Sequence, residues 1–339
     1  MKYRCHSTLV DIDREGFSSV GLKLLTGGNR KFPHCLQFKR EDITSVQVEA
    51  AEHMSISGVQ DKISLKLVRG TLASAERDGQ YILKPVPSLI VPEFMRDVPA
   101  NEHLTMQIAS QVFNISTAAN ACVFLKDKSM AYITKRFDYR GNTKLSQEDF
   151  CQLSSRSPES HGKNYKYDGS YEEVGRILQK FCKAHIVEIE KLYKLITFNY
   201  VFSNGDAHLK NFSLYQTPYD DYVLTPAYDL ICSSMHFPNE SRTALDLFDN
   251  YESPSYQRNG YYGKEDFIKL AEIYGIKQSR AANILASYGE KSVQVKDLIE
   301  RSFLSDGAKE GYNRRYHDRL KAIDSYSVVS CHNMSYRPR

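Results

Sequence analysis

Asn204-Gly205-Asp206-Ala207-His208-Leu209-Lys210-Asn211, with Tyr228-Asp229-Leu230 beyond it, is the stretch on which the reading of this chain turns. It sets an Asp, an Asn five residues later, and a second Asp past a predicted β-hairpin. One carboxylate can orient an attacking hydroxyl and accept its proton. An amide oxygen and a second carboxylate can hold a hard divalent cation against phosphate oxygens. Asp206 within Asn-Gly-Asp reads, by itself, equally well as a turn. Asn211 at its spacing, the strand pair after it and Asp229 after that pair favour the chemical role. His208 lies between them as a candidate catalytic and nucleotide-contacting residue, with packing inside the loop as its plainer role. Lys210 could meet a phosphate, although a solvated lysine is the commoner outcome.

An Asp-x-x-x-x-Asn spacing with a later metal-binding Asp is the protein-kinase arrangement. The segments around it fit. Ile186 to Phe202 has one apolar helical face and runs into the Asp206 loop, and Phe212 to Tyr215 and Tyr222 to Leu224 read as short strands. Ser170-Tyr171-Glu172-Glu173 is a capping-box pattern ahead of Val174, Ile177, Leu178 and Phe181 at helical spacing. Three helices are predicted near 264–274, 279–304 and 306–325. Ser154 to Gly169 is polar and long for a structureless connection, which predicts a mobile functional loop or a poorly ordered one. Arg314 to Lys321 is basic, but Asp318 and Asp324 dilute it, and it reads as the solvated face of a terminal helix.

Toward the N-terminus the pattern changes to strands. Ile63, Leu65 and Leu67 alternate with Ser64 and Lys66, Tyr81 to Lys84 forms a second strand, and Pro85 and Pro87 end it. A helix follows over Pro99 to Val112, with Leu104, Ile108 and Val112 on one face and Glu102 in its first turn. Ala121 to Leu125 and Met130 to Thr134 then form a hairpin. Residues 1 to 50 read as short strands and turns with a breaker at Gly27-Gly28-Asn29. The expectation is an α+β, two-lobed protein-kinase-like fold: a small β-rich N-lobe over 1–136 and a mainly helical C-lobe over 137–339.

Three further groups belong to this expectation. Ser55-Ile56-Ser57-Gly58-Val59-Gln60-Asp61-Lys62 is a small-residue loop whose backbone N–H groups could approach phosphates, although it equally suits a serine-capped turn. Lys84 ends a strand after that loop, where a lysine could reach phosphates, and Glu102 could orient it. Lys135 and Phe137, in Thr134-Lys135-Arg136-Phe137-Asp138, stand where the lobes join and a purine could be met.

The chain of 339 residues carries a net charge of +4, with 41% apolar and 25% charged residues, so it is globular and tolerant of acidic ligands without demanding nucleic acid. Seven scattered Cys without a CxxC pair argue for reduced thiols in a cytosol, against a disulfide framework or a zinc site. No signal peptide fits the first residues, and no apolar run is long enough to span a membrane.

Taken in order, SISGVQDK (Ser55–Lys62), YILKP (Tyr81–Pro85), Asn101-Glu102, KRFD (Lys135–Asp138), QEDFCQL (Gln147–Leu153), GDAHLKNFS (Gly205–Ser213) and LTPAYDL (Leu224–Leu230) resemble the HipA-like serine/threonine kinases, toxins of bacterial toxin–antitoxin systems. The resemblance implies ATP and Mg²⁺ as cofactors, Asp206 as catalytic base, and Asn211 and Asp229 as metal ligands. It puts Lys84 on the phosphates, and Lys135 and Phe137 at the adenine site. Ser55 matches the serine that the family autophosphorylates to silence itself, and Ser57 is a second candidate. A phosphate there adds about −2 charge to the phosphate-cradling loop and would repel ATP. About fifty residues precede the loop, which makes the chain similar to the short HipT form. Its implied partners are cognate antitoxin proteins and a protein substrate of the aminoacyl-tRNA synthetase class, with nucleic acid reached only through an antitoxin. Two other functions stay open on the sequence: a small-molecule phosphotransferase on a related fold, and a non-catalytic antitoxin-binding scaffold.

Overall fold

The computed structural model describes residues 2–28, 31–40, 62–88, 93–140 and 143–324. Ser55, Ser57, Gly58, Val59 and Gln60 of the small-residue loop lie outside the described residues. Those described fall into two compact units. The first takes Met1–Lys144, Met235–Pro238 and Val295–Gly311; the second takes Leu145–Ser234, Asn239–Gln294 and Tyr312–Arg339. The sequence drew its line at 136/137.

The first unit opens with β1 (Tyr3–Arg4), β2 (Asp11–Ile12) and α1 (Ser19–Thr26). This helix, absent from the sequence-based expectation, is fully capped. The Ser18 side chain accepts from the Gly21 N–H, and Gly27 closes it at φ 71°, a left-handed conformation that suits glycine. Next come β3 (Ile63–Val68), β4 (Thr71–Ser74), β5 (Tyr81–Pro85), α2 (Val98–Gln111), β6 (Asn120–Phe124) and β7 (Met130–Lys135), then the short pair β8 (Tyr139–Arg140) and β9 (Thr143–Lys144). β3 to β7 form one antiparallel sheet ordered β4-β3-β5-β7-β6, so β5 lies at its centre. The alternation foreseen in β3 holds for Ile63 and Leu65, which enter a core with Leu83, Ala121, Val123 and Ile133. α2 packs on β6 and β7.

Helix α2 is buried almost all round from Val98 to Ala109, polar residues included. Burial of polar groups costs free energy unless hydrogen bonds replace water. Here Gln107 donates to Asn120 Oδ1 at 2.9 Å, and His103 Nε2 meets the Ser7 carbonyl at 2.9 Å. Glu102 stands past the first turn, not within it, so its carboxylate is placed by tertiary packing rather than by the helix dipole.

The second unit contains β10 (Gln147–Asp149), α3 (Phe150–Leu153), α4 (Pro158–His161), α5 (Tyr171–Phe181) and α6 (His185–Val201), then β11 (Ser213–Gln216) and β12 (Tyr222–Leu224). β10, β11 and β12 make a three-stranded antiparallel sheet. α7 (Pro254–Asn259), α8 (Lys264–Ile273), α9 (Gln278–Glu290), α10 (Ser292–Arg301) and α11 (Asp306–Asp324) complete the order. The single helix expected over 279–304 is two, because the Lys291 N–H turns back to the Ser287 and Gly289 carbonyls and ends α9. α6 is the spine of this unit. Phe198 stacks on Phe202 with centroids 4.3 Å apart, and Phe202 stacks on Tyr316 at 5.1 Å. Of the foreseen capping box at α5, Ser170 accepts from the Glu173 N–H, while the Glu173 carboxylate pairs with Arg156 instead. Among the described residues no helix is long and apolar enough to cross a membrane.

Candidate active site

In the first unit, Lys84 sits near the end of the central strand β5, paired in register with Tyr132 of β7. Its ammonium donates to Glu102 Oε1 at 2.6 Å and lies 5.5 Å from the Tyr132 ring centroid. Lysine and glutamate are almost never fully buried unless paired, and here both are: Lys84 is 5% and Glu102 2% exposed. Glu102 therefore fixes where the Lys84 ammonium points. Lys135, half-buried at the end of β7, has its pKa pushed down by burial. Phe137 is half-buried two residues on. Between them Arg136 grips Asp138 through Nε–Oδ1 (2.9 Å) and Nη2–Oδ2 (2.5 Å), which binds the KRFD stretch to itself.

In the second unit, α6 delivers the loop. After Val201 the chain turns through Ser203 in the left-handed region at φ 55°. Asn204 then ties the turn together. Its Nδ2 donates to Asn199 Oδ1 (2.9 Å) and to the Asp229 carbonyl (3.3 Å), and its Oδ1 accepts from the Asp206 N–H (3.4 Å). Asp206 is exposed, with its carbonyl accepting from the His208 N–H at 2.8 Å. Leu209–Asn211 forms a short 3₁₀ turn. The His208 N–H donates to Asn211 Oδ1 (3.1 Å), and Asn211 Nδ2 donates to Asp229 Oδ2 (3.3 Å). Asp229 also has positive φ, 55°, a costly backbone state for a non-glycine residue that is found preferentially at functional sites.

The structure thus brings Lys84 and Glu102 together in one unit, and Asp206, His208, Asn211 and Asp229 together in the other. Asn211 and Asp229 lie side by side, the amide nitrogen on Asp229 Oδ2 and the amide oxygen on the His208 N–H, and their oxygens are of the hard type that suits Mg²⁺. Among the described residues no group of three His, Cys, Asp or Glu could hold a metal. His208 is 7% exposed, burial pushes its pKa down to about 4 against the pull of Asp206, and among the described residues its Nδ1 has no hydrogen-bond partner. It is therefore a neutral imidazole at pH 7, packed edge-on against Tyr167 with centroids 5.2 Å apart. Lys210 is half-buried and donates to the Tyr165 hydroxyl at 3.3 Å, so it is not the solvated lysine expected.

Sequence reasoning missed two contributors. Tyr167 donates its hydroxyl to Asp206 Oδ1 at 2.5 Å. It comes from the polar segment 154–169, whose length was the only signal. Glu240 lies behind the loop: Oε1 accepts from Ser233 Oγ (2.5 Å) and from the Gly205 N–H (3.3 Å). A Cβ on Gly205 would stand 2.3 Å from the Ser241 carbonyl and 2.7 Å from the Glu240 carboxyl, so only glycine permits this approach. No periodicity marks Glu240.

Burial, with the neighbouring Asp206 charge adding to it, raises the Glu240 pKa from 4.5 to about 7, against the Ser233 and Gly205 donors and Arg319. The folded protein therefore holds this proton more tightly than the unfolded chain does. The stability gained is whole below about pH 4.5 and is lost as pH rises through 7. Glu240→Gln keeps an oxygen for both donors and abolishes the titration. Relative to the parent, this variant should gain on the order of 3 kcal/mol between pH 4.5 and pH 8. Urea unfolding at both pH values measures it. A parent–variant difference that is flat with pH would refute the assignment.

A profile of the HipA-like C-terminal domain matches residues 54–295. A Haemophilus influenzae protein named "Putative kinase" is 26% identical over 326 residues, covering 91% of this chain and 93% of that protein. The serine/threonine-protein kinase toxin HipA of Shewanella oneidensis is 24% identical over 60% of this chain, and the match spans 48% of the toxin. Among solved structures, Shewanella oneidensis HipA in complex with HipB and operator DNA aligns with a TM-score of 0.65 at 20% identity, over 89% of this chain and 74% of that one. The Helicobacter pylori proinflammatory kinase CtkA aligns with a TM-score of 0.51 at 12% identity, over 80% of this chain and 98% of that one. The fold is accordingly that of these kinases, α+β, sheet-rich in the N-terminal part and helical in the C-terminal part.

Proposed function

The chain belongs to the HipA-like C-terminal domain family, and from that premise we propose that it is an ATP- and Mg²⁺-dependent serine/threonine protein kinase acting as a toxin of the HipA/HipT type. The observation that carries this is the join between Asn211 and Asp229 at 3.3 Å, on the same loop system as the exposed Asp206 carboxylate. A structural turn has no need to set an asparagine side chain against the carboxylate of a residue held at positive φ, beside an exposed acid.

In this proposal Asp206 orients the acceptor hydroxyl and takes its proton. Asn211 Oδ1 and the Asp229 carboxylate hold Mg²⁺, which when bound neutralises charge on the phosphates. Lys84, fixed by Glu102, contacts the phosphates, and Lys135 and Phe137 contribute to the adenine site. His208, neutral and buried, acts by packing the loop. Catalysis rests on positioning and charge rather than on a covalent enzyme intermediate. The protein works in the cytoplasm, on a substrate of the aminoacyl-tRNA synthetase class, and it has an antitoxin as partner, as Shewanella HipA has HipB. The sequence match covers 48% of the Shewanella toxin, so contacts made by the rest of that protein are not carried over.

The test is incubation of phosphatase-treated protein with labelled ATP and Mg²⁺, followed by phosphosite mapping. Label on Ser55 or Ser57 is the expected result. A protein that binds no ATP and takes no label would refute the proposal.

A further inference from the structure

The polar segment between α3 and α5 is built into the site. Ser157 and Ser160 form a capping box at α4, and Arg156 makes two 2.9 Å bonds to the Glu173 carboxylate of α5. Gly169, at φ 150°, lets the chain turn past Glu173, where a Cβ would stand 2.8 Å from Oε2. On the loop side, Lys210 Nζ donates to the Tyr165 hydroxyl (3.3 Å), and the Tyr171 hydroxyl donates to the Ala207 carbonyl (2.9 Å). Tyr167 is held between these anchors, its ring edge-on to His208 and its hydroxyl on Asp206 Oδ1.

We propose that Tyr167 is a positioning residue for the catalytic base: its hydroxyl pins one carboxylate oxygen of Asp206 so that the other, Oδ2, faces the acceptor hydroxyl. This rests on the kinase reading of Asp206. Among the described residues no hydrogen bond reaches Asp206 Oδ2, so one oxygen is fixed and one is left for substrate. Burial and the adjacent Asp206 carboxylate push the Tyr167 pKa up, with Glu240 adding to both, so the phenol stays a donor at working pH. His208, Tyr171 and Glu240 also sense Asp206. None of them donates a side-chain hydrogen bond to it among the described residues. An exposed carboxylate without such a bond would sample several rotamers, and each unproductive one lowers the rate without weakening nucleotide binding.

The experiment uses the full chain after phosphatase treatment, with labelled ATP as the probe and incorporation into its own serines as the readout. Tyr167→Phe keeps the ring on His208 and removes only the hydroxyl. The rate at saturating ATP should fall about ten- to a hundredfold, as expected for loss of a hydrogen bond to a charged group. The ATP concentration giving half that rate and the unfolding temperature should not change. A faster Tyr167→Phe would mean that the phenol blocks the acceptor position, and an unchanged rate would mean that it does nothing; either overturns the proposal. Loss of ATP affinity together with stability would reduce Tyr167 to a packing residue and overturns it too. A parent protein that takes no label overturns the kinase reading itself, which separates the two failures.

Discussion

Asp206→Asn is expected to lower phosphoryl transfer by about 10²- to 10⁴-fold, the usual contribution of a positioned general base, and to leave the unfolding temperature where it was. The structure explains why both should hold at once. Asp206 is exposed, so the neutral amide neither buries nor releases a charge in the interior. The backbone bonds that shape the loop, from the Asp206 N–H to Asn204 and from the His208 N–H to the Asp206 carbonyl, do not involve its side chain. The amide oxygen of asparagine can still accept from Tyr167. What disappears is the ability to take a proton from an attacking hydroxyl. The rate of label incorporation, with a thermal melt alongside, measures this. Transfer at the parental rate would place the base elsewhere, and a collapsed melting temperature would mean that the loop needs the charge for folding.

The grouping of the candidate site residues was legible where they lie close in sequence. Asp206 and Asn211 share one loop, and Asp229 follows one hairpin, so spacing alone carried them. Lys84 and Glu102 were legible as a pair only because a strand precedes a helix; the burial that fixes them comes from the sheet beneath. Tyr167 and Glu240 could not be read in this way. Each reaches the loop from a stretch without periodicity, through packing that brings residues 39 and 35 positions away against it. In the fold, elements marked by strong alternation or a long apolar face were found close to their expected ends. The losses were local. Helix α1 is eight residues long and its core side is only Gly21 and Leu25, too short a stripe to stand out from its neighbours. The break between α9 and α10 is a single turn of chain at Lys291, which apolar periodicity runs straight across.

Removal of Glu102 should have the largest effect on stability. Glu102→Ala takes away the carboxylate that the buried Lys84 ammonium faces at 2.6 Å, and breaking such a pair from one side typically costs about 3–5 kcal/mol. The cost is less the value of the contact than the penalty of leaving a desolvated charge. Replacing both partners with apolar residues of similar volume, Lys84→Met with Glu102→Leu, removes the penalty along with the pair. The double variant should therefore be clearly more stable than Glu102→Ala and fall well short of the summed losses of the two single variants. Urea unfolding of the parent, Lys84→Met, Glu102→Leu and the double measures the coupling; strictly additive losses would mean that the two charges do not depend on each other. The same four proteins separate structure from chemistry. A refolded core does not restore a cation to the phosphates, so the double variant should stay as inactive toward labelled ATP as Lys84→Met alone. If it regained both stability and transfer, Lys84 would be a structural lysine, and the phosphate-binding charge would have to be sought at another residue.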